Sequence, residues 1–249
     1  MATSVKQTPS LMPWRDPLRA EIPELRDCQM AAIYYGQRCS GDFYDCFRVS
    51  PDRILFGLFD IAGKLAQSRP VVLAVQESFR SSGKELLAPE DLNESDAMLE
   101  LWLEINRQVI KTAEGVHPCP AFLGCCNEQL STLTYVNAGH TPGLVRGKGG
   151  VKPLLATALP IGLFSHTVPD NSMIAMQPGD ALLVVSKGMI EARHRGEEFG
   201  LERVEEHLLA SDGETAHEIC VGILSKVRQF MGTAPTHNDV TALSLVKSR

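Results

Sequence analysis

Arg53-Ile54-Leu55-Phe56-Gly57-Leu58-Phe59-Asp60-Ile61-Ala62-Gly63 is a nearly unbroken apolar run that stops at an aspartate and a glycine turn. From Arg53 to Phe59 the pattern reads as a strand buried on both faces. Phe43 to Val49 alternates loosely before it, and Pro51-Asp52 supplies the turn, so the two segments predict a hairpin. A second apolar run, in Val184-Val185-Ser186-Lys187-Gly188, also ends on a charged residue beside glycine. Two acidic ends would suggest a shared cation. Here one end carries an ammonium, which predicts the scaffold of a metal site without its full ligand set.

Outward from that hairpin, Gln29 to Gly36 is apolar and aromatic and predicts a strand. After Asp60, Val71, Val72, Leu73, Val75 and Phe79 recur near helical spacing, with Ser81-Ser82-Gly83 as the expected end. A second helix is signalled by Asn93 or Ser95 as cap, followed by Met98, Leu99, Trp102, Ile105 and Val109. Strands are then expected at Phe122–Cys126, Leu130–Asn137, Gly143–Arg146, Ser172–Met176 and Ala181–Ser186, separated by glycine-rich turns. Helices at Leu201–Leu209 and Ala216–Phe230 and a closing strand at Val240–Val246 complete the pattern. Strands, helices, strands, helices and a last strand predict an α+β fold, helices outside antiparallel sheets. Residues 1–28, punctuated by proline, read as an N-terminal extension, and 29–249 as one domain.

The bulk properties exclude several classes. The 249 residues are 44% hydrophobic and 22% charged, the balance of a soluble globular protein, and carry a net charge of -6. A basic nucleic-acid face is not expected. No apolar run approaches the ~18 residues that span a bilayer, and Met1 to Arg19 lacks the layout of a signal peptide. The expectation is a cytoplasmic protein. The seven cysteines include no C-x-x-C, and Cys125-Cys126 would face opposite sides of a strand. Reduced, buried thiols are expected rather than zinc ligands or disulfides.

The acidic candidates are Asp42 and Asp45 in Gly41-Asp42-Phe43-Tyr44-Asp45, Asp60, and Asp239 in His237-Asn238-Asp239-Val240-Thr241. All lie at strand starts or ends, where they can converge at one edge of a sheet sandwich. Carboxylates, carbonyls and water suit Mg²⁺ or Mn²⁺. Two such ions roughly 3.5–4 Å apart can hold a hydrolytic water against a phosphate ester. Taken singly, each aspartate beside glycine reads first as a turn cap. His140, in Asn137-Ala138-Gly139-His140, reads as a turn residue bonding backbone before it reads as a general acid. No H-E-x-x-H, G-x-S-x-G or Walker A lysine motif is present.

Eight motifs occur in an order that resembles a known family. They are Gly41-Asp42-Phe43-Tyr44-Asp45, Asp60-Ile61-Ala62-Gly63-Lys64, Thr134-Tyr135-Val136-Asn137-Ala138-Gly139-His140, Leu159-Pro160-Ile161-Gly162-Leu163, Pro178-Gly179-Asp180, Gly188-Met189-Ile190-Glu191-Ala192, Glu198-Phe199-Gly200-Leu201-Glu202-Arg203 and Asp239-Val240-Thr241. Together they resemble the bacterial PPM-type protein serine/threonine phosphatases, in the branch of stage II sporulation protein E and the sigma-factor regulator phosphatases. The resemblance implies an α-β-β-α sandwich and two Mn²⁺ or Mg²⁺ ions at its edge. It implies Asp42 as one ligand, Asp60 as the bridge, the Ile61 carbonyl and Asp239 as further donors, and Asp45 and Gly63 as support.

The chain also departs from the pattern. Ser186-Lys187-Gly188 stands where the family has Thr-Asp-Gly, and Asn238-Asp239 where it has Asp-Asp; Ser40, Ala62 and Leu65 replace small residues or glycines. An ammonium near a divalent ion is strongly repelled, so Lys187 is expected to pair with Asp42 and Asp60 as a built-in counter-charge. The alternative turns Lys187 outward toward a substrate phosphate, with one metal kept. The implied functions are a pseudophosphatase with weak or absent turnover, or a working metal-dependent phosphatase. The implied partner is a phosphorylated regulatory protein of the anti-sigma-factor antagonist type. The N-terminal segment is expected to dock a sensor or a second copy of the chain in a homodimer.

Overall fold

The computed structural model describes residues 21–36, 41–61, 63, 65–113, 115–232 and 239–249; the expectations placed on residues 1–20, Ser40, Ala62 and Asn238 lie outside them. The chain enters β1 (Cys28–Tyr35) and then the hairpin of β2 (Phe43–Arg48) and β3 (Arg53–Phe59). Helices α1 (Leu65–Leu87) and α2 (Glu94–Thr112) follow. Next come β4 (Ala121–Asn127), β5 (Thr132–Ala138), β6 (Gly143–Gly147), β7 (Gly150–Leu154), β8 (Ser172–Ala175) and β9 (Ala181–Val185). A short α3 (Lys187–Ile190) leads through β10 (Arg193–His194) and β11 (Glu197–Glu198) to α4 (Gly200–Ala210), α5 (Ala216–Met231) and β12 (Val240–Lys247).

Two five-stranded antiparallel sheets result, ordered β1-β12-β9-β6-β7 and β2-β3-β4-β5-β8, with β10-β11 as a separate hairpin. Three apolar layers hold them. Phe79 of α1 and Trp102 of α2 bury against Phe43, Phe59 and Leu123 on the outer face of one sheet. Val204 of α4 and Ile219 and Ile223 of α5 cover Val185 and Ala242 on the outer face of the other. Between the sheets, Phe56, Leu58 and Phe122 meet Leu182, Leu243 and Leu245. Each fully buried side chain of this size contributes ~1.5–3 kcal/mol of hydrophobic transfer, so both sheets depend on the middle layer. The architecture is the expected α-β-β-α sandwich. Cys125 faces the helices and Cys126 the other sheet, as the strand period requires.

Two readings need correction. Gly83 does not end α1, which runs on to Leu87. Its missing side chain admits β3, since a Cβ there would lie 2.4 Å from Leu55 Cδ2. β7 was not among the expected strands; it carries Pro153 and lies as a half-exposed edge strand, where proline is tolerated. Asn93 caps α2 as expected, its side chain accepting from the Ser95 and Asp96 amides. Among the described residues no helix is long and apolar enough to cross a membrane.

Candidate metal edge of the sandwich

Antiparallel pairing of β2 with β3 sets Phe43 opposite Phe59, so Asp42 and Asp60 emerge side by side at one sheet end. Asp42 is buried and Asp60 half-buried. The Asp60 amide donates to the Pro120 carbonyl at 2.8 Å, which ties the strand end to the chain entering β4. Gly63 then turns at φ +101°, a left-handed conformation that glycine adopts without strain. Gly41 is a close approach: a Cβ there would stand 2.8 Å from the Ile61 carbonyl oxygen and 3.0 Å from Ser68 Oγ. The Ile61 carbonyl therefore faces the backbone that carries Asp42.

The second sheet brings its own ends to the same edge. The Thr141 hydroxyl, just past β5, donates to the Val185 carbonyl at the end of β9, linking the two sheets there. The Ser186 amide donates to the Thr241 carbonyl, and the Thr241 amide donates back to Ser186 Oγ. Asp239 is 1% exposed and lies against Gly36, where a Cβ would collide with its carboxylate oxygen at 2.1 Å.

Cys119 and Ile161 close the floor with two main-chain bonds of 2.8 and 3.1 Å. Burial, and then the carboxylates of Asp60 and Asp42, push the Cys119 thiol well up, so it stays protonated beside them. Neither Cys119 nor the Pro120 carbonyl was expected from the sequence. The proline that opens a strand was the available signal.

Two candidates are placed elsewhere. Lys187 does not enter the acidic cluster. Its side chain is 63% exposed and its Nζ is 3.3 Å from Oε1 of Glu191, the residue that caps the end of α3. A hydrated ammonium on a flexible stem keeps its solvent and a surface partner rather than accept the cost of burial. Asp45 turns toward α1, where Arg80 grips it in a fork with contacts of 2.6 and 2.5 Å. Its support is to the packing of β2 on that helix. Asn238 lies outside the described residues.

Magnesium and manganese favour hard oxygen donors, and at this edge the strand pairing brings together the Asp42 and Asp60 ends, with the Ile61 carbonyl packed against Gly41. That donor set fits one such ion. Among the described residues no three acidic, histidine or cysteine side chains form a ready ligand group, so such an ion would take part of its shell from carbonyl and water.

A family model described as Stage II sporulation protein E (SpoIIE) matches residues 50–246, most of the chain. The chain belongs to the SpoIIE family. Phosphoserine phosphatase RsbP of Bacillus subtilis is 25% identical over 172 residues, 68% of this chain and 41% of its own length. The chain spans about a third to two fifths of the length of the curated relatives it matches. Among solved structures, the SiaA-PP2C domain of Pseudomonas aeruginosa aligns at TM-score 0.72 and 17% identity, over 88% of this chain and 86% of that one. RsbX in complex with magnesium aligns at TM-score 0.65 and 12% identity, over 92% and 99%. These likenesses show the fold: this SpoIIE-family chain has the PP2C fold.

Proposed function

We propose that this edge binds one divalent cation, Mg²⁺ or Mn²⁺, and acts weakly on phosphoserine or phosphothreonine of a regulatory protein. The single observation that carries the reading is the pairing of Asp42, Asp60 and the Ile61 carbonyl at one sheet end while position 187 offers an outward amine and no carboxylate. Asp42, Asp60 and the Ile61 carbonyl would hold the ion, with Asp239 at its far side. Bound there, the ion supplies Lewis acidity and lowers the pKa of a coordinated water for attack on a phosphate ester. Loss of the carboxylates at 187 and 238 removes ligands for a second ion, which is why turnover is expected to be slow rather than vigorous.

The chain's own residues set the rest. Pro120 fixes the Asp60 main chain, and the Cys119–Ile161 bonds exclude solvent from below. Lys187, on the rim and joined to Glu191 by a surface ion pair worth little, can exchange Glu191 for a substrate phosphate as a point charge. RsbP, by name a phosphoserine phosphatase, supports a phosphoserine substrate, and we take its carrier to be a regulatory protein of the anti-sigma-factor antagonist type. The domain proper is taken as 29–249, preceded by the extension 1–28.

Calorimetry with Mn²⁺ and turnover of a phosphoserine peptide test the reading. One site per chain is expected, lost in Asp60→Asn, with a second gained in Lys187→Asp/Asn238→Asp. Two sites in the unaltered chain, or affinity and stoichiometry indifferent to the double exchange, would refute it.

A further inference from the structure

Within electrostatic reach of Asp60 the structure holds an imidazole with one nitrogen committed and the other unpaired among the described residues. His140 follows β5 and is 6% exposed. Its backbone amide donates to Asn137 Oδ1 at 2.9 Å, which sets the loop. Ring Nδ1 lies 3.1 Å from the Thr141 carbonyl oxygen and 3.0 Å from Thr141 Oγ1. The carbonyl can only accept. The Thr141 hydroxyl has already given its proton to the Val185 carbonyl, so toward the ring it too can only accept. Both contacts demand a proton on Nδ1, and a neutral ring then carries its lone pair on Nε2.

Nε2 is enclosed and, among the described residues, meets no hydrogen-bond partner. A buried acceptor left so costs ~1–3 kcal/mol, which favours a partner that the chain itself does not supply. Burial favours the neutral ring, opposed by the Thr141 carbonyl and by the Asp60 carboxylate, the charged side chain that reaches it. Topology agrees with this neighbourhood. Asp60 bonds Pro120, and the next residue, Ala121, bridges to Gly139, so the ends carrying Asp60 and His140 flank one chain.

We propose that His140 is a positioning residue of the cation site, its Nε2 accepting a hydrogen bond from a water on the ion held by Asp60. A cation-bound water is a strong donor and is repelled by a cationic ring, so a neutral, tautomer-locked lone pair is the group that suits it. The Thr141 hydroxyl extends the chain to Val185, one residue from Ser186 and two from Lys187, so the ring's orientation is tied to the second sheet's contribution to the edge. The inference rests on the single-cation reading.

The test is ¹⁵N NMR of histidine-labelled full-length protein titrated with Mg²⁺, beside calorimetry of the same titration, with His140→Gln assigning the resonance. The Nδ1–H tautomer is expected before metal, and the Nε2 resonance should move as Mg²⁺ saturates. His140→Phe should weaken Mg²⁺ binding about tenfold, and His140→Gln, which keeps an acceptor near Nε2, should restore most of it. An Nε2–H tautomer, or an Nε2 signal unmoved while calorimetry registers binding, overturns the inference alone. Absence of Mg²⁺ binding to the unaltered chain overturns the single-cation reading and this inference with it. The wild-type spectrum decides the matter even if His140→Phe fails to fold.

Discussion

At the scale of single residues, the candidate edge depends on where side chains are missing as much as on where they stand. Gly41 leaves room for the Ile61 carbonyl, and an added methyl would sit 2.8 Å from a main-chain oxygen that cannot rotate away. Gly41→Ala should destabilise the fold by ~1–3 kcal/mol, the usual cost of overpacking, and weaken Mg²⁺ binding together with it. Denaturant titration and calorimetry would measure the two effects; unchanged metal affinity would separate the Ile61 carbonyl from the site. Asp42 and Asp60 were legible in the sequence because each is a lone charge where an apolar strand meets a glycine turn. The partner of Lys187 was not. Glu191 becomes its neighbour only through α3, a four-residue helix too short to leave a periodic signal. The Nδ1 proton of His140 was equally hidden, since it follows from the Val185 carbonyl, far away in sequence.

At the scale of elements, polar contacts join the outer helices to the sheet beneath. Buried Arg146 of β6 donates to the Leu208 carbonyl, Ser211 Oγ and the Gly179 carbonyl, closing the end of α4. His207 of α4 donates Nε2–H to the Ile219 carbonyl of α5 at 2.9 Å. Burial holds His207 below its ordinary value of 6.5, partly offset by that carbonyl. The folded chain therefore binds fewer protons here than the unfolded one. Stability from this group is full above the unfolded value and falls as pH drops through 6.5 toward the folded value. Melting temperature should fall between about pH 7.5 and about pH 5.5, and fall less in His207→Gln, which keeps a donor without a titrating ring. Equal pH slopes in the two proteins would dismiss His207 as the cause. Helix positions were readable from apolar periodicity, but the end of α1 was not, because Gly83 serves contact with Leu55 rather than termination.

At the scale of the whole molecule, the middle layer joins two sheets that have no strand in common. Leu182 of β9 is fully buried in it beside Phe122 and Leu243. Leu182→Ala should cost ~2–5 kcal/mol, in one cooperative transition seen alike by far-UV circular dichroism and by tryptophan fluorescence from Trp102 in the outer layer. Separate transitions would mean that the sheets melt independently. By itself the sequence determined the order and type of most elements, the double-sided burial of β3 and the aspartate at its end, because local apolar period and turn chemistry act between near neighbours. Only the tertiary structure decided that β12 enters between β1 and β9, that Asp45 serves Arg80 and that Lys187 faces water. Those outcomes depend on which distant groups share a dry space, and the desolvation cost that sorts charges between interior and surface exists only after the layers have closed.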